Sequence, residues 1–306
     1  MAQIGIMIEG QDGLNWERWT RLLQAAEDLG FAFVFRSDHF AFDNPPVKDS
    51  LELWVSLTYA AMHTRRIEFG PMVAPVTFRH PAMTARMGAQ VDDLSGGRLS
   101  LGLGVGWHQG EHTMFGVPFY DRPTRFEMFA DALEITRLLL ESDQPVTFHG
   151  AHFSLENALL LPRPKRKTPV LIGGSGPNRT LPLVARYADE WNGVFIDPAT
   201  YRARCTRLDE LLVECGRPAN AVKRSIMTLV EYARSEAELA ARLHHTGLAP
   251  QEIISRGLIV GTASQVVDQI GAFVEAGAQR FMLQWLDQDD MDRLEHMAAH
   301  VLPQVT

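Results

Sequence analysis

Short apolar runs alternate along this chain with longer segments whose apolar residues recur every three or four positions. Ile4-Gly5-Ile6-Met7-Ile8 reads as a strand, and Trp19, Leu22, Leu23, Ala26 and Leu29 mark one face of a helix beginning near Trp16. Gly30 closes that helix, and Phe31-Ala32-Phe33-Val34-Phe35 makes a second strand ending in RSDHF. A helix near 50–63 precedes a third strand that runs from Ile67 toward Pro75. Pro81 then opens a helix that reaches Leu94 before the Ser95-Gly96-Gly97 stop, and a fourth strand, Leu99–Gly104, follows. Four more strands are expected at Pro169–Ile172, Gly193–Ile196, Arg224–Val230 and Arg280–Trp285. Helices are expected near 199–214, 235–245, 250–256, 263–276 and 289–301.

Between the fourth and fifth strands the rhythm loosens. Pro123–Leu140 is helical, and Val146–Gly150 with Ala151–Leu155 reads as two short edges around a glycine turn. Segment 105–168 is therefore taken as an insertion within a single domain covering 1–306. Strand and helix in repeated alternation predict a closed (β/α)8 TIM-like barrel. An open doubly wound sheet shares the local pattern, but its nucleotide fingerprint belongs after the first strand, where this chain reads MIEGQDG.

Composition narrows the partners. The net charge is -8, from 37 acidic and 29 basic residues, and the one basic cluster, PRPKRK at 162–167, reads as a surface loop. That balance argues against nucleic acid or an anionic membrane as a partner and leaves a small molecule. Cys205 and Cys215 suggest neither a disulfide framework nor a metal signature. MAQIGIMIEG lacks a secretory pattern, so a cytoplasmic protein is expected.

In a barrel, chemistry sits where strands end. Those positions hold Glu9, Ser37-Asp38-His39, Met72–Thr77, Gly106-Trp107-His108-Gln109, Gly173–Gly176 and Trp191. PVLIGGSGPNRT at 169–180 reads as strand, glycine turn and helix, a place where backbone N–H groups can meet a phosphate. Ser175 or Asn178 could cap the helix or donate to that phosphate, and a plain structural turn is the alternative. His39 titrates near neutrality and suits proton transfer, with Asp38 orienting it or anchoring a loop. His80 reads as a loop fastener, and HQGEH at 108–112 lacks the HExxH spacing of a zinc site, so no metal is assigned. Trp107, Phe115 and Trp191 are expected to give an apolar rim.

The ordered set FVFRSDHF, IEFGPMVAPVTFRHP, GGRLSLGLGVGWHQGEHTMFG, FHGAHFSLEN, LIGGSGPNRTLPLVARYADEWN and VGTASQVVDQIGAFVEAGAQRFML covers nearly the whole length. It resembles the bacterial luciferase-like monooxygenase superfamily, and within it the oxidoreductases that use coenzyme F420. The resemblance implies that Gly173, Gly174, Ser175 and Gly176 hold the cofactor phosphate. Met72-Val73 would back the redox ring through a non-prolyl cis peptide, and Asp38, Gly106 and Trp107 would complete the cofactor site. It implies His39 as the proton-transfer residue and a homo-oligomer, for which apolar-rich helices such as Leu51–Met62 offer a surface. The chain departs from the sugar-phosphate dehydrogenases of that branch: AFDN follows SDHF where they carry a tryptophan, and Gln109 stands near their glutamate, with Glu111 close by. Hydride transfer with F420 is the expected activity. FMNH2-dependent oxygen chemistry with FMN as cofactor, a non-catalytic flavin-binding barrel and a metal-dependent hydrolase remain as alternatives.

Overall fold

The computed structural model describes residues 2–42 and 46–305. Asp43 and Asn44 of the AFDN departure lie outside the described residues. The strands are β1 (Gln3–Ile8), β2 (Phe33–Arg36), β3 (Glu68–Pro71), β4 (Ala74–Pro75), β5 (Leu101–Gly104), β6 (Val146–His149), β7 (Ser154–Ala158), β8 (Val170–Gly173), β9 (Glu190–Val194), β10 (Lys223–Tyr232), β11 (Ile259–Gly261) and β12 (Arg280–Gln284). The helices are α1 (Trp16–Asp28), α2 (Leu53–His63), α3 (Pro81–Leu94), α4 (Gln109–Met114), α5 (Arg122–Glu141), α6 (Thr180–Tyr187), α7 (Pro198–Glu214), α8 (Glu236–Leu243), α9 (Pro250–Ser255), α10 (Ala263–Glu275) and α11 (Met291–Val305). No described helix is long and apolar enough to cross a membrane.

The large sheet is parallel and runs β3-β2-β1-β12-β10-β9-β8-β5-β4. Its two ends are halves of one strand: β3 and β4 flank the Met72–Val73 peptide, which is cis. The backbone bonds from Phe69 N–H to Arg98 O (3.0 Å) and from Ser100 N–H to Phe69 O (2.9 Å) complete the circle. The fold is a TIM-like barrel. β6 and β7 form a separate antiparallel hairpin. In segment 105–168, α5 packs between α3 and α6 in the outer ring, so α4 and the hairpin are what the loop adds.

Alternation along each strand sorts the core into two layers. Ile4, Ile6, Ile8 and Val34 face the helices in the main apolar cluster, whereas Met7, Phe33, Phe35, Met72, Leu171, Met227 and Met282 form a separate cluster inside the barrel. Glycine appears where that interior is tightest. A Cβ on Gly104 would come within 2.3 Å of Val73 Cγ2, and one on Gly173 within 3.1 Å of Val73 Cγ1, so these glycines make room for the Val73 side chain.

At the opposite end, where β3, β9 and β12 begin, Arg280 reaches Glu190 (2.6 Å) and Glu68 (2.7 Å) and lies over the Phe33 ring at 4.4 Å. This buried ion pair closes the lower end of the barrel. It also accounts for the misplaced sixth strand, expected at Gly193–Ile196 and found as β9, Glu190–Val194. Glu190 pairs with Arg280, and Asn192 Nδ2 donates to Ser225 Oγ at 3.0 Å. Polar side chains with inward partners disguise the start of the strand, and Phe195, at φ 46°, ends it.

Candidate active site

The strand ends surround a cavity of about 690 Å³. The residues assigned from the sequence to catalysis and to the cofactor line it: Asp38 and His39 after β2, Met72 and Val73 between β3 and β4, Gly106 and Trp107 after β5, and Gly173, Gly174, Ser175 and Gly176 after β8. Met7, Met72, Val73, Val194 and Met227 give it an apolar lower wall. Glu9, at the end of β1, also faces it, its carboxylate accepting from Gln11 Nε2 (3.0 Å) and Gln284 Nε2 (2.6 Å).

His39 does not use Asp38 as its partner. The Asp38 carboxylate turns to Arg79, accepting from Nη1 and, at 3.2 Å, from Nη2, while Arg79 also reaches Glu52 at 2.7 Å. Burial pushes the Asp38 carboxyl up to about 6 against the opposing pull of Arg79. Asp38 therefore anchors the loop after β2. Glu111 orients His39: its Oε2 lies 2.7 Å from His39 Nδ1, and its Oε1 accepts from the backbone N–H groups of Phe40 and Ala41 (3.1 Å).

Glu111 sits in α4, whose first turn is capped by His108 Nδ1 accepting from Glu111 N–H at 3.1 Å. That short helix turns Glu111 inward, with 1% of its side chain exposed, and leaves Gln109 outward. Burial lowers the His39 pKa, but the hydrogen bond and charge of Glu111 outweigh it and leave the imidazole above its ordinary 6.5. Burial raises the Glu111 pKa, but bonding to His39 and the two amides leaves it below 4.5. With Nδ1 held, His39 Nε2 is the ring nitrogen left for a reacting group. Trp107, 70% exposed, stands edge-on to the imidazole with ring centroids 5.4 Å apart.

The glycine turn is built differently from expectation. Arg179 occupies the N-cap position of α6 without a side-chain cap, and the first helical N–H groups, of Thr180 and Leu181, both return to Gly176 O at 3.1 Å. Pro182 has no N–H to offer. The helix terminus is thus largely spent, and the donors come from the turn itself: among the described residues, the N–H groups of Ser175, Gly176, Asn178 and Arg179 bond to no protein acceptor. The Ser175 hydroxyl is also occupied, accepting from Val194 N–H at 2.9 Å and lying 3.2 Å from Val194 O. Gly174 has φ +127°, a region L side chains rarely enter.

Trp191, expected on the rim, is fully buried, stacks on Tyr201 at 5.0 Å and donates its indole N–H to Gly174 O at 2.8 Å. It supports the turn from below. Phe115 is 57% exposed and meets the Phe40 ring edge-on at 5.0 Å but does not line the cavity, so of the three expected rim aromatics only Trp107 does. His80 caps α3, Nδ1 accepting from Ala82 N–H at 3.3 Å. Among the described residues no group of three metal-ligating side chains converges.

Arg125 went unnoticed in the sequence. It lines the cavity, is only 9% exposed, donates to Gly106 O and lies 4.4 Å above the Phe119 ring. Its Nε has no partner, and it makes no ion pair among the described residues, the Asp121 carboxylate acting on it only at longer range. A buried cation without a contacting counterion, aimed into a cavity beside free N–H groups, suits an anionic ligand. The signal was present: Arg125 falls on the buried stripe with Met128, Phe129 and Ala132.

A model of the luciferase-like monooxygenase family matches residues 2–248, and the chain belongs to that family. The F420-dependent glucose-6-phosphate dehydrogenase of Microbacterium testaceum (strain StLB037) is 32% identical over 215 residues, which cover 68% of this chain and 62% of that protein. The enzyme of the same name from Intrasporangium calvum is 26% identical over 311 residues, 91% of each chain. An F420-dependent secondary alcohol dehydrogenase, solved in complex with an F420-acetone adduct, superposes with a TM-score of 0.86 over 100% of this chain and 99% of that one, at 22% identity. At that identity the likeness speaks for the fold.

Proposed function

We propose that this protein is a coenzyme F420-dependent oxidoreductase that moves a hydride between the deazaflavin and a small, partly hydrophobic organic substrate, with His39 assisting proton transfer. The observation that carries the reading is the His39–Glu111 pair, set in the same cavity as an Arg125 without an ion pair and a glycine turn with free N–H groups. F420-dependent relatives support the choice of cofactor. The residues present fit such a group: Arg125 and the N–H groups of Ser175 and Gly176 would hold its phosphate, Val73 and Met72 would lie under its ring, and Gly106 and Trp107 would flank it. When bound, the deazaflavin supplies two-electron hydride chemistry.

The protein's own part follows from the pair. Glu111 accepts from Nδ1–H, which keeps Nε2 of the neutral ring as an acceptor. In the oxidising direction an alcohol loses its hydroxyl proton to Nε2 as the adjoining carbon loses its hydride; in reverse, the protonated ring returns that proton to a carbonyl oxygen. Trp107 covers the imidazole edge and limits water access. Asp38, through Arg79, fixes the loop from which His39 projects. The working unit is taken as one barrel, 1–306 with the 105–168 excursion, in a cytoplasmic homodimer that binds neither nucleic acid nor membrane. Val55 and Met62 of α2 and Met83 of α3, exposed at 56%, 61% and 52%, offer the partner surface.

Anaerobic titration with F420 and with FMN, followed by kinetics of His39→Asn, tests the reading. F420 should bind more tightly. The variant should hold it within about fivefold of wild type while turnover falls roughly 10²–10⁴-fold. Tighter binding of FMN with oxygen consumption would overturn the cofactor assignment, and near-normal turnover of the variant across pH 6–9 would remove His39 from the chemistry.

A further inference from the structure

Past Gly176 the main cavity adjoins a second groove of about 400 Å³. One side is the start of α5, with Arg122, Pro123 and Phe126; the other is Pro177, Asn178 and Arg179 ahead of α6. Arg122, Phe126, Gly176 and Thr180 line both spaces, so the two adjoin. The Phe126 ring carries two guanidinium groups, with Cζ of Arg122 5.9 Å and Cζ of Arg179 5.5 Å from its centroid. Among the described residues neither arginine has a hydrogen bond or an ion pair.

The acidic side chains nearby are committed elsewhere. Asp121 caps α5 by accepting from Thr124 N–H at 2.8 Å, and Glu127 is paired with His152 at 3.0 Å. Arg125 lies one helical turn from Arg122; after burial, the Arg122 charge is the next cause that lowers its pKa. In a protein of net charge -8, three guanidinium groups thus share one corner, where the Asp121 carboxylate acts on Arg125 only at a distance and none of the three makes an ion pair among the described residues. Such mutual repulsion is relieved when an anion arrives. Phe126 supports the faces of two of them, leaving their N–H edges open for the bidentate contacts that carboxylates accept.

Ser175 and Arg125 face the main cavity, Pro177, Asn178 and Arg179 line the groove beyond it, and Gly176 and Arg122 stand between the two. A ligand whose phosphate occupies the first site would need a second anionic portion to reach the other. We propose that the groove binds a carboxylate-bearing extension of the cofactor beyond its phosphate. This rests on the F420 reading: F420 continues past its phosphate into glutamate carboxylates, whereas FMN ends at its phosphate. The groove is thus an element of cofactor choice, and it sets affinity through charge without touching the reacting atoms.

The test is a fluorescence titration of wild type and of the Arg122→Gln/Arg179→Gln double variant with three probes: F420 bearing several glutamates, the phosphate-free deazaflavin nucleoside, and FMN. The double variant should bind F420 about 5- to 30-fold more weakly at low ionic strength, with the difference fading as salt is raised. Its affinity for the nucleoside should stay within about twofold of wild type, and FMN, whose phosphate ends in the main cavity beside Arg122, should lose less than F420 does. F420 binding that is unchanged in the variant, or an equal loss for all three probes, overturns the groove assignment and leaves the F420 reading standing. Wild-type protein that binds FMN but not F420 overturns that reading, and the groove assignment with it.

Discussion

Glu111→Gln separates orientation of the imidazole from mere occupancy of its neighbourhood. The Oε1 position accepts from two backbone donors, Phe40 N–H and Ala41 N–H, so the carbonyl oxygen of the glutamine must take that place. Its NH2 group then points at His39 Nδ1, where the carboxylate oxygen had stood 2.7 Å away. A donor facing Nδ1 forces that nitrogen to accept and puts the ring proton on Nε2, the atom that has to receive the substrate proton. Relative to wild type, reaching the competent tautomer means forgoing the charge-assisted bond to Glu111, breaking the amide–imidazole bond and opposing two donors, about 3–5 kcal/mol together, or about 10²–10⁴ in rate.

The pH dependence adds a sign. In wild type Glu111 holds the His39 pKa above 6.5, so the oxidation rate should rise with pH through that raised value. In the variant, burial is opposed only by the smaller contributions of the Glu9 and Asp38 charges, and the acidic limb should move to lower pH as the rate falls at every pH. Stability should follow the same pair. The His39 contribution is present below 6.5 and lost as pH rises through its raised value; that of Glu111 is present above 4.5 and lost as pH falls through its lowered one. The variant should therefore lose most stability between 4.5 and 6.5, read as the urea midpoint at pH 5.5 against pH 9. The assay is stopped-flow reduction of F420 with a turned-over alcohol. A variant within tenfold of wild type, with an unmoved acidic limb, refutes the orienting role.

Arg280→Met should destabilise the fold by about 3–5 kcal/mol in urea unfolding, because it strands the buried Glu190 carboxylate at the base of the barrel; a loss under 1 kcal/mol would mean that water already serves that carboxylate. Gly174→Val should weaken F420 binding by roughly 2–4 kcal/mol, chiefly because φ +127° is closed to valine, with circular dichroism checking that the barrel persists. Unchanged affinity would remove the turn from the phosphate site. Sedimentation at micromolar concentration should report a dimer, and Met62→Glu on the exposed face of α2 should shift it to monomer; a wild-type monomer contradicts the surface assignment.

The barrel was legible because its strands carry apolar residues on both faces, one set for the helices and one for the interior. The sixth strand slipped where Glu190 and Asn192 point inward to polar partners, an arrangement that local periodicity cannot distinguish from a loop. Site positions were legible for a topological reason: strand ends in a barrel must converge. The pairing of side chains was not. Asp38 sits next to His39 in sequence yet serves Arg79, and the orienting carboxylate arrives from a six-residue helix after β5 whose rotation no alignment of Gln109 and Glu111 could fix. Likewise the turn exposed its glycines to sequence reading but hid that Pro182 and the Gly176 carbonyl use up the helix terminus.

The soft interior beneath the cavity bears on chemical durability. Met7, Met72 and Met227 meet the cavity directly, and Met282 lies just below among them. Thioethers so placed would be the first casualties of peroxide released above them, turning polar and chiral as sulfoxides in a space packed for apolar sulfur. A floor of this kind suits a reaction that passes electrons in pairs without activating oxygen, and it records any departure. Peptide mass mapping of these methionines after prolonged aerobic turnover would show, in the protein's own atoms, whether oxygen had been reduced there.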